Sequence, residues 1–402
     1  RSSWSIIWSC LSTIFLCTWV AIHPNVHFRP ETQGQKWYKR YLWDPFHEFV
    51  TYRLVLFIWA LLIPEYILAW AVRQYIQAGK IRDGVPGWTR THGFFMVMGG
   101  FHLFRLPADT RLPYETKEVS GFVVSTGEHS RRDAVPVCPL KFEDFPTDIL
   151  EIMAPTEIEL KDKDKSDSLT KIIVLMQTLW FVIQCITRGT QHLPLTELEV
   201  VTLAYAMLNF FIYIFWWDKP QNVECPIRVY KTSTASHEKR RLEWSGNWVW
   251  RWMKMISAYT IGLQDRYATL SKQCSTPMFW SGQMKEGHLF SATLGPAILG
   301  SAFGAIHCIA WSSKFPSSDE LVLWRISCIA MITVPFIPRK LSKLRKSITE
   351  ACLTGIFFLL IVASFVLYIV SRIATLVIAF TSLRSLPPAA LATVEWTTFI
   401  PH

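Results

Sequence analysis

Residues 172–217 read IIVLMQTLWFVIQCITRGTQHLPLTELEVVTLAYAMLNFFIYIFWW, and this stretch decides the class of fold. It holds two apolar blocks, 172–187 and 200–217, joined by a short connection with Gly189 and Pro194. Each approaches the roughly 20 residues that carry a helix across about 30 Å of hydrocarbon. Gln177, Gln184 and Arg188 recur at spacings of seven and four, so they share one helix face. Glu199, Thr202, Ala206, Asn209 and Tyr213 do the same on the second block. Amides in lipid seek partners on neighbouring helices. The two polar stripes are therefore expected to face each other in an antiparallel hairpin.

Working outward, further apolar blocks occupy 4–23, 54–72, 290–311, 321–337 and 351–378. The last runs on as 32 residues to Ser382, which as one helix would extend about 48 Å and must tilt, break or protrude. Composition agrees with an apolar solvent. Half of the residues are hydrophobic and 18% are charged, below the roughly one quarter usual in soluble chains. Many of the 19 Trp and 12 Tyr sit at block ends, where amphipathic rings favour the headgroup zone. The expected fold is a single all-α integral membrane domain over 1–402, with about seven transmembrane helices. Two large aromatic and basic extramembrane insertions, 75–168 and 218–288, interrupt it, with short strands expected near 119–124. The aromatic segments 88–106 and 247–263 are the two places where an eighth crossing could hide.

The net charge of +10 lies largely in loops. Basic loops beside spans follow from topology and anionic lipid, so nucleic acid is excluded as a partner and membrane lipid is expected. The short run Arg339, Lys340, Lys343, Arg345 and Lys346 marks a cytosolic loop by the positive-inside rule. With seven spans, Arg1 would then be cytosolic and His402 outside. A chain beginning at Arg1 rather than Met also has a cleaved signal peptide as one candidate origin, which fits that topology only with an extra crossing. Endomembrane and plasma membrane both fit.

The pieces DKDKSD (162–167), QTLWFVIQCITR (177–188), TELEVVTLAYAMLN (196–209) and YIFWWDKPQNV (213–223) occur in a recognisable order. WSCLSTIFLCTW (8–19), HPNV (23–26), THGFF (91–95), MGGF (98–101) and the ending FIPH (399–402) accompany them. The chain resembles a large fungal family of uncharacterised multi-pass membrane proteins. The resemblance implies membrane placement and a fungal source, and carries over no activity. Where relatives read DKSKGD, this chain has Asp164 and Ser166, so a turn that needs the glycine is differently shaped here.

Glu65, just after Pro64, is the most exposed to a functional reading. An acid near the middle of a span costs a few kcal/mol unless paired, neutral or facing water. Protonated among aromatic rings it could serve as a general acid or a proton-coupling group. A structural hydrogen bond beside a Pro64 kink is an equally good explanation. His307 and Arg325 are candidate partners for Glu65, though a satisfied buried histidine and a snorkelling arginine are the commoner cases. Asp218 and Lys219 end the block 200–217 as an interfacial stop or as a pair at a pocket mouth. His92 and His102 flank the Gly99–Gly100 turn and could share a divalent metal only if the chain reverses. Alternating charges usually mark a solvated face, which is the better reading of Asp162, Asp164 and Asp167 among their lysines. Gly300 and Gly304 form one small-residue spacing that could pack two copies together.

No Walker loop, GxGxxG, HExxH or GxSxG is present, which leaves nucleotide-driven transport and the common hydrolases without support. The leading functional expectation is a membrane-embedded enzyme acting on a lipid, isoprenoid or other hydrophobic small molecule. A transporter or channel with a polar path past Glu65, Gln177, Gln184, Asn209 and His307 is the first alternative. A receptor-like or scaffolding protein with a dry bundle is the second.

Overall fold

The computed structural model describes residues 1–28, 36–105, 116–119, 122–125, 135–145, 150, 155–165, 168–231, 270, 275–282, 286–337 and 351–395. Six stretches among them are long and apolar enough to cross a membrane: Ser3–Val20, Tyr41–Leu62, Leu169–Thr190, Glu197–Phe215, Thr293–Ala310 and Leu359–Ser385. Their outer faces are apolar. Trp4 is 71% exposed, Trp8 68% and Met176 62%, a burden of bare apolar surface that a water-soluble chain does not carry.

Nine longer helices organise the described residues. α1 (Ser3–Phe15) runs into a π turn (Leu16–Val20); α2 is Val55–Leu62, α3 Pro64–Gly84 and α4 Arg90–Val97. α5 is Ser168–Thr190, α6 Glu197–Phe215, α7 Glu286–His307, α8 Ser318–Thr333 and α9 Ala351–Thr381. Side-chain bonds fix their directions. Arg1 pairs with Glu199 at one end of the bundle and Lys219 bonds the His23 carbonyl at the other, so α1 and α6 are parallel. Cys17 meets Thr178, and Arg188 bonds the Pro194 and Ala390 carbonyls, so α5 runs back toward the Arg1 end. Trp324 donates to the His307 carbonyl and Ser301 to that of Ile332, which sets α7 antiparallel to α8. Thr381 donates to Glu320 while Arg372 reaches Met331, so α9 reverses again. Six helices thus traverse the described bundle, and Arg1 returns to the Leu391 carbonyl at 2.7 Å. Both described ends therefore lie on one face, where seven crossings would have put them on opposite faces.

The helix expected over 54–72 is not one span. Ile63, in a non-helical conformation (φ −141°, ψ 68°), precedes Pro64, whose ring disfavours helix in the residue before it. The chain reverses there. Tyr52 donates to the Asn25 carbonyl at 3.3 Å and Gln74 to the Asn25 side chain at 2.8 Å, although a continuous helix would hold them about 33 Å apart. Eleven residues on either side of Ile63, about 16 Å of helix, return to the same residue. α2 and α3 form a re-entrant hairpin whose tip lies about 16 Å of helix from its open end, against Arg372 and Tyr205 in the interior of α9 and α6. Tyr41–Leu62 is therefore the descending limb. Its place among the traversing helices goes to α8 with its 3-10 extension (Val334–Phe336), which carries Asp319 and Glu320 in its first turn.

The fold is mainly α-helical and carries one small sheet as well. β1 (Phe101–Arg105), β2 (Thr116–Val119), β3 (Phe122–Ser125), β4 (Val135–Pro139) and β5 (Ile227–Lys231) form one sheet in the order β2-β3-β5-β1-β4. β1 and β5 are parallel, with Phe101 opposite Ile227. The two insertions thus fold together as one cap at the Lys219 end, over a second core that includes Ile81, Trp88, Met96, Leu140 and Val229. Segment 88–106 is α4 plus β1 and crosses nothing. Segment 247–263, the basic run 239–254 and the loop 339–346 lie outside the described residues.

Gly300 and Gly304 serve contacts within the chain. A Cβ on Gly304 would sit 2.8 Å from the Met331 and Ile332 backbone, and one on Gly300 would sit 2.9 Å from Glu65 Cγ. That face is covered by α8 and the hairpin, so it does not present itself to a second copy. Gly304→Val is expected to destabilise the chain by about 1–3 kcal/mol through overpacking, whereas Gly295→Ala, with open space at its Cβ, is not. Thermal midpoints in detergent measure the difference.

Candidate functional site

At the hairpin tip, Leu61 and Leu62 end α2 with carbonyls that no following amide takes. Arg372 of α9 caps them, Nε to Leu62 at 3.3 Å and Nη2 to Leu61 at 3.4 Å. The same guanidinium donates to the Tyr205 hydroxyl at 2.6 Å and lies 4.1 Å over the Phe303 ring. Tyr205 in turn donates to the Leu61 carbonyl. A cation thus sits at the C-terminus of one half-helix, and Glu65 sits in the first turn of the next, the arrangement that both helix dipoles favour.

The Glu65 carboxyl is buried, with the Tyr368 hydroxyl facing it and Arg372 acting on it through space. Among the described residues, neither Glu65 oxygen nor the Tyr368 hydroxyl completes a bond of hydrogen-bond geometry. Gly300 leaves the room that the carboxyl stem occupies. Around the tip, Trp59 packs on Tyr66, Phe279 and Phe365 at ring distances of 5.7, 5.8 and 6.5 Å. Trp59, Tyr66 and Phe365 are half-buried, so this aromatic cluster is partly open at the surface of the bundle.

The expected partners of Glu65 are engaged elsewhere. His307 donates from Nδ1 to the Phe303 carbonyl at 2.8 Å, packs on the Phe303 ring at 4.9 Å and lies near Arg372. Arg325 holds the Trp311 carbonyl at 3.1 and 3.2 Å and packs over its ring, near the Arg1 end. The two polar stripes do not run face to face. Arg188 and Glu199 converge at the Arg1 end: Glu199 closes a capping box with Thr196, and Arg188 clamps the Ala390 and Ala392 carbonyls. Gln184 lines a cleft with them, Gln177 is half-buried, and Asn209 points instead into a small void shared with Thr18, Pro64 and Tyr205.

Asp218 and Lys219 separate in the same way. Lys219 is buried and its ammonium donates to the His23 carbonyl, to Gln74 Oε1 at 2.8 Å and to Asn25 Oδ1 at 3.5 Å. It also lies 4.7 and 4.5 Å from the Trp70 and Trp216 ring centres. Burial pushes Lys219 toward its neutral form, and three acceptors with two indole faces oppose that by selecting the ammonium. The cage ties HPNV, α3, the end of α6 and Trp280 together, since Gln74 and Trp70 both donate to the Trp280 carbonyl. Asp218 takes no part in it. His23, beside the cage, is buried, which lowers its pKa to about 3.

His92 is an N-cap device. Its Nδ1 accepts from the Thr89 amide at 3.1 Å and its Nε2 donates to the Pro155 carbonyl at 2.8 Å. His102 is fully buried on β1, edge-on to Phe28. Among the described residues no group of three or more His, Cys, Asp or Glu could hold a metal ion. Asp164, from the acidic run, accepts from the Gln221 amide at 2.9 Å and so braces the loop after Lys219; Asp167 lies outside the described residues.

Arg372, Tyr368 and Tyr205 are the site residues that reading the sequence overlooked. A lone arginine four residues after a tyrosine in a 31-residue apolar helix was the available sign, because a buried acid elsewhere needs a cation.

A family model described as a family of unknown function (DUF8562) matches residues 1–237. No curated protein and no solved structure matches the chain.

Lys219→Met should strand three buried acceptors and lower stability by about 3 kcal/mol, and Lys219→Arg, planar and bulkier, should not restore it. Unfolding curves in detergent read both. The His23 imidazole titrates near 6.5 when exposed and near 3 when buried, so in acid the unfolded chain binds the extra proton. Stability from His23 is full above about pH 6.5 and falls as the pH drops toward 3. A His23→Gln variant should show a shallower slope in that window.

Proposed function

The chain belongs to DUF8562, a family of unknown function matched over residues 1–237, and we propose that it is a multi-pass membrane enzyme acting on a lipid or isoprenoid substrate, with Glu65 as proton donor. The observation that carries this reading is a buried carboxyl at the tip of a re-entrant hairpin, faced by Tyr368 and with no partner of hydrogen-bond geometry among the described residues, near a half-buried aromatic cluster. Tyr368 and Arg372, its neighbours, lie in α9, beyond the matched residues.

A substrate tail would reach the tip from the lipid, past Trp59 and Phe365. Glu65 would give its proton to the substrate, the rings would favour the cation so formed, and Arg372 would stabilise the carboxylate left behind. Excluding water keeps these charge interactions strong. The basic run 339–346 is flanked by Ile337 and Ala351 at the cap end, and the positive-inside rule favours that end as cytosolic, with both described chain ends on the other side. An endomembrane or plasma membrane of a fungal cell is the setting that the sequence resemblance implies. A second reading, proton-coupled transport, draws on the half-helix ends meeting at mid-bundle, a feature of transporter sites.

Glu65→Gln should lower product in a membrane extract by about 10²-fold or more while the protein remains folded, and Tyr368→Phe should cause a smaller loss. Arg325→Gln should leave product unchanged. Mass spectrometry of extracted lipids measures all three. An unchanged lipid profile with Glu65→Gln excludes the acid role, and loss of proton-driven uptake instead would favour transport.

A further inference from the structure

At the Lys219 end, on the outside of the bundle, a cavity of about 270 Å³ opens between the π turn after α1, the top of α2, the start of α5 and the loop after Lys219. Trp19, Val20, Ile22 and Leu56 make its apolar side, and Arg53, Lys165, Thr170, Lys171, Gln221 and Asn222 its polar side. The loop is firmly built. Buried Gln221 donates to the Val20 and Ile22 carbonyls at 3.0 and 3.1 Å, and Asn222 sits at φ 55°, a left-handed conformation that asparagine tolerates.

We propose that this cavity binds the headgroup phosphate of an anionic phospholipid of the cytosolic leaflet. Three cations face it and two acids lie near. Asp164 is turned to the Gln221 amide at 2.9 Å and meets Lys171 only at 3.5 Å. Glu224 pairs with Lys165 where both side chains are more than half exposed, so water screens that pair. Among the described residues Arg53 donates to a neutral group, Asn222 Oδ1 at 3.2 Å, which leaves its charge available to a phosphate. The first turn of α5, holding Thr170 and Lys171, adds the positive end of a helix dipole.

A lipid rather than a free phosphate is favoured by what lies beneath. Trp19 stacks on Phe15 at 5.8 Å and meets Phe49 and Phe57 at 5.8 and 5.7 Å. Phe15 is 49% and Phe49 42% exposed, so the apolar side of the cavity continues into an outward-facing aromatic strip along which an acyl chain can lie. The described residues that flank the basic run 339–346, Ile337 and Ala351, lie at this end, which by the positive-inside rule is the cytosolic one, and the cytosolic leaflet is the one that carries anionic lipid. Because the cavity is separate from the hairpin tip, the assignment does not depend on Glu65.

The test uses the full chain in neutral detergent, with phosphatidylserine, phosphatidylcholine and inorganic phosphate as probes and native mass spectrometry as readout. Phosphatidylserine should be retained over phosphatidylcholine, and the double variant Arg53→Gln with Lys171→Gln should retain about thirtyfold less at roughly 1 kcal/mol per basic residue. Lys171→Arg should retain it, and so should the surface variant Arg82→Gln. Elution as a single folded species checks that the double variant is intact, and Glu65→Gln should bind as the parent does. Equal retention by parent and double variant, or displacement of the lipid by millimolar inorganic phosphate, would overturn the proposal.

Discussion

A helix that stops inside an apolar bundle leaves carbonyl oxygens with no amide and no water to take them, and in lipid each such group costs several kcal/mol. The break at Ile63 and Pro64 creates this situation at mid-bundle, and much of the interior is arranged around it. Arg372 is buried in the middle of α9 because it caps Leu61 and Leu62. Its charge rests on the Tyr205 hydroxyl and the Phe303 ring. Glu65 then occupies the start of the return helix, where the dipole favours an anion and where the missing side chain of Gly300 leaves room. The chemistry proposed for Glu65 is inseparable from this structural role, since the cation that satisfies the break is also the one beside the carboxyl.

The hairpin is held at its open end by a different device. Lys219 gathers the HPNV segment, α3 and the end of α6 through three oxygens and two indole faces. Tyr52 and Gln74 meet at Asn25 within the same network. The cap built from both insertions rests beside it, with Val26 bonded to the Met98 carbonyl at 2.9 Å. Much of what the sequence motifs encode is this packing. TELE is the Thr196–Glu199 capping box, THGFF carries the His92 cap on Thr89, and the DK run supplies Asp164 to the loop after Lys219.

Hydropathy made the traversing helices legible. The block 172–187 lies within Ser168–Thr190, 200–217 overlaps Glu197–Phe215, and 351–378 lies within the unbroken Ala351–Thr381. The same measure could not separate a kink from a reversal, because residues on both sides of Pro64 are apolar. The next turns of α3 held the warning, since buried Arg73, Gln74 and Gln77 belong to a helix satisfied by protein rather than lipid. Strands near 119–124 were readable from local pattern, but β5 pairs with β1 across more than a hundred residues, and nothing local announces a parallel partner. Glu65 was legible as an anomaly and Arg372 was passed over as an interruption. Their relation needed α9 to be placed against the hairpin.

The reversal at Ile63 is the feature on which the cap at Arg372 and the setting of Glu65 both depend. With exposed Cys225 replaced by serine, single cysteines at Arg53 and Asp83 can be tested with a membrane-impermeant maleimide in sealed, oriented vesicles. The re-entrant hairpin predicts that Arg53→Cys and Asp83→Cys label from the same side, and labelling from opposite sides would mean that 54–72 crosses the membrane as one helix.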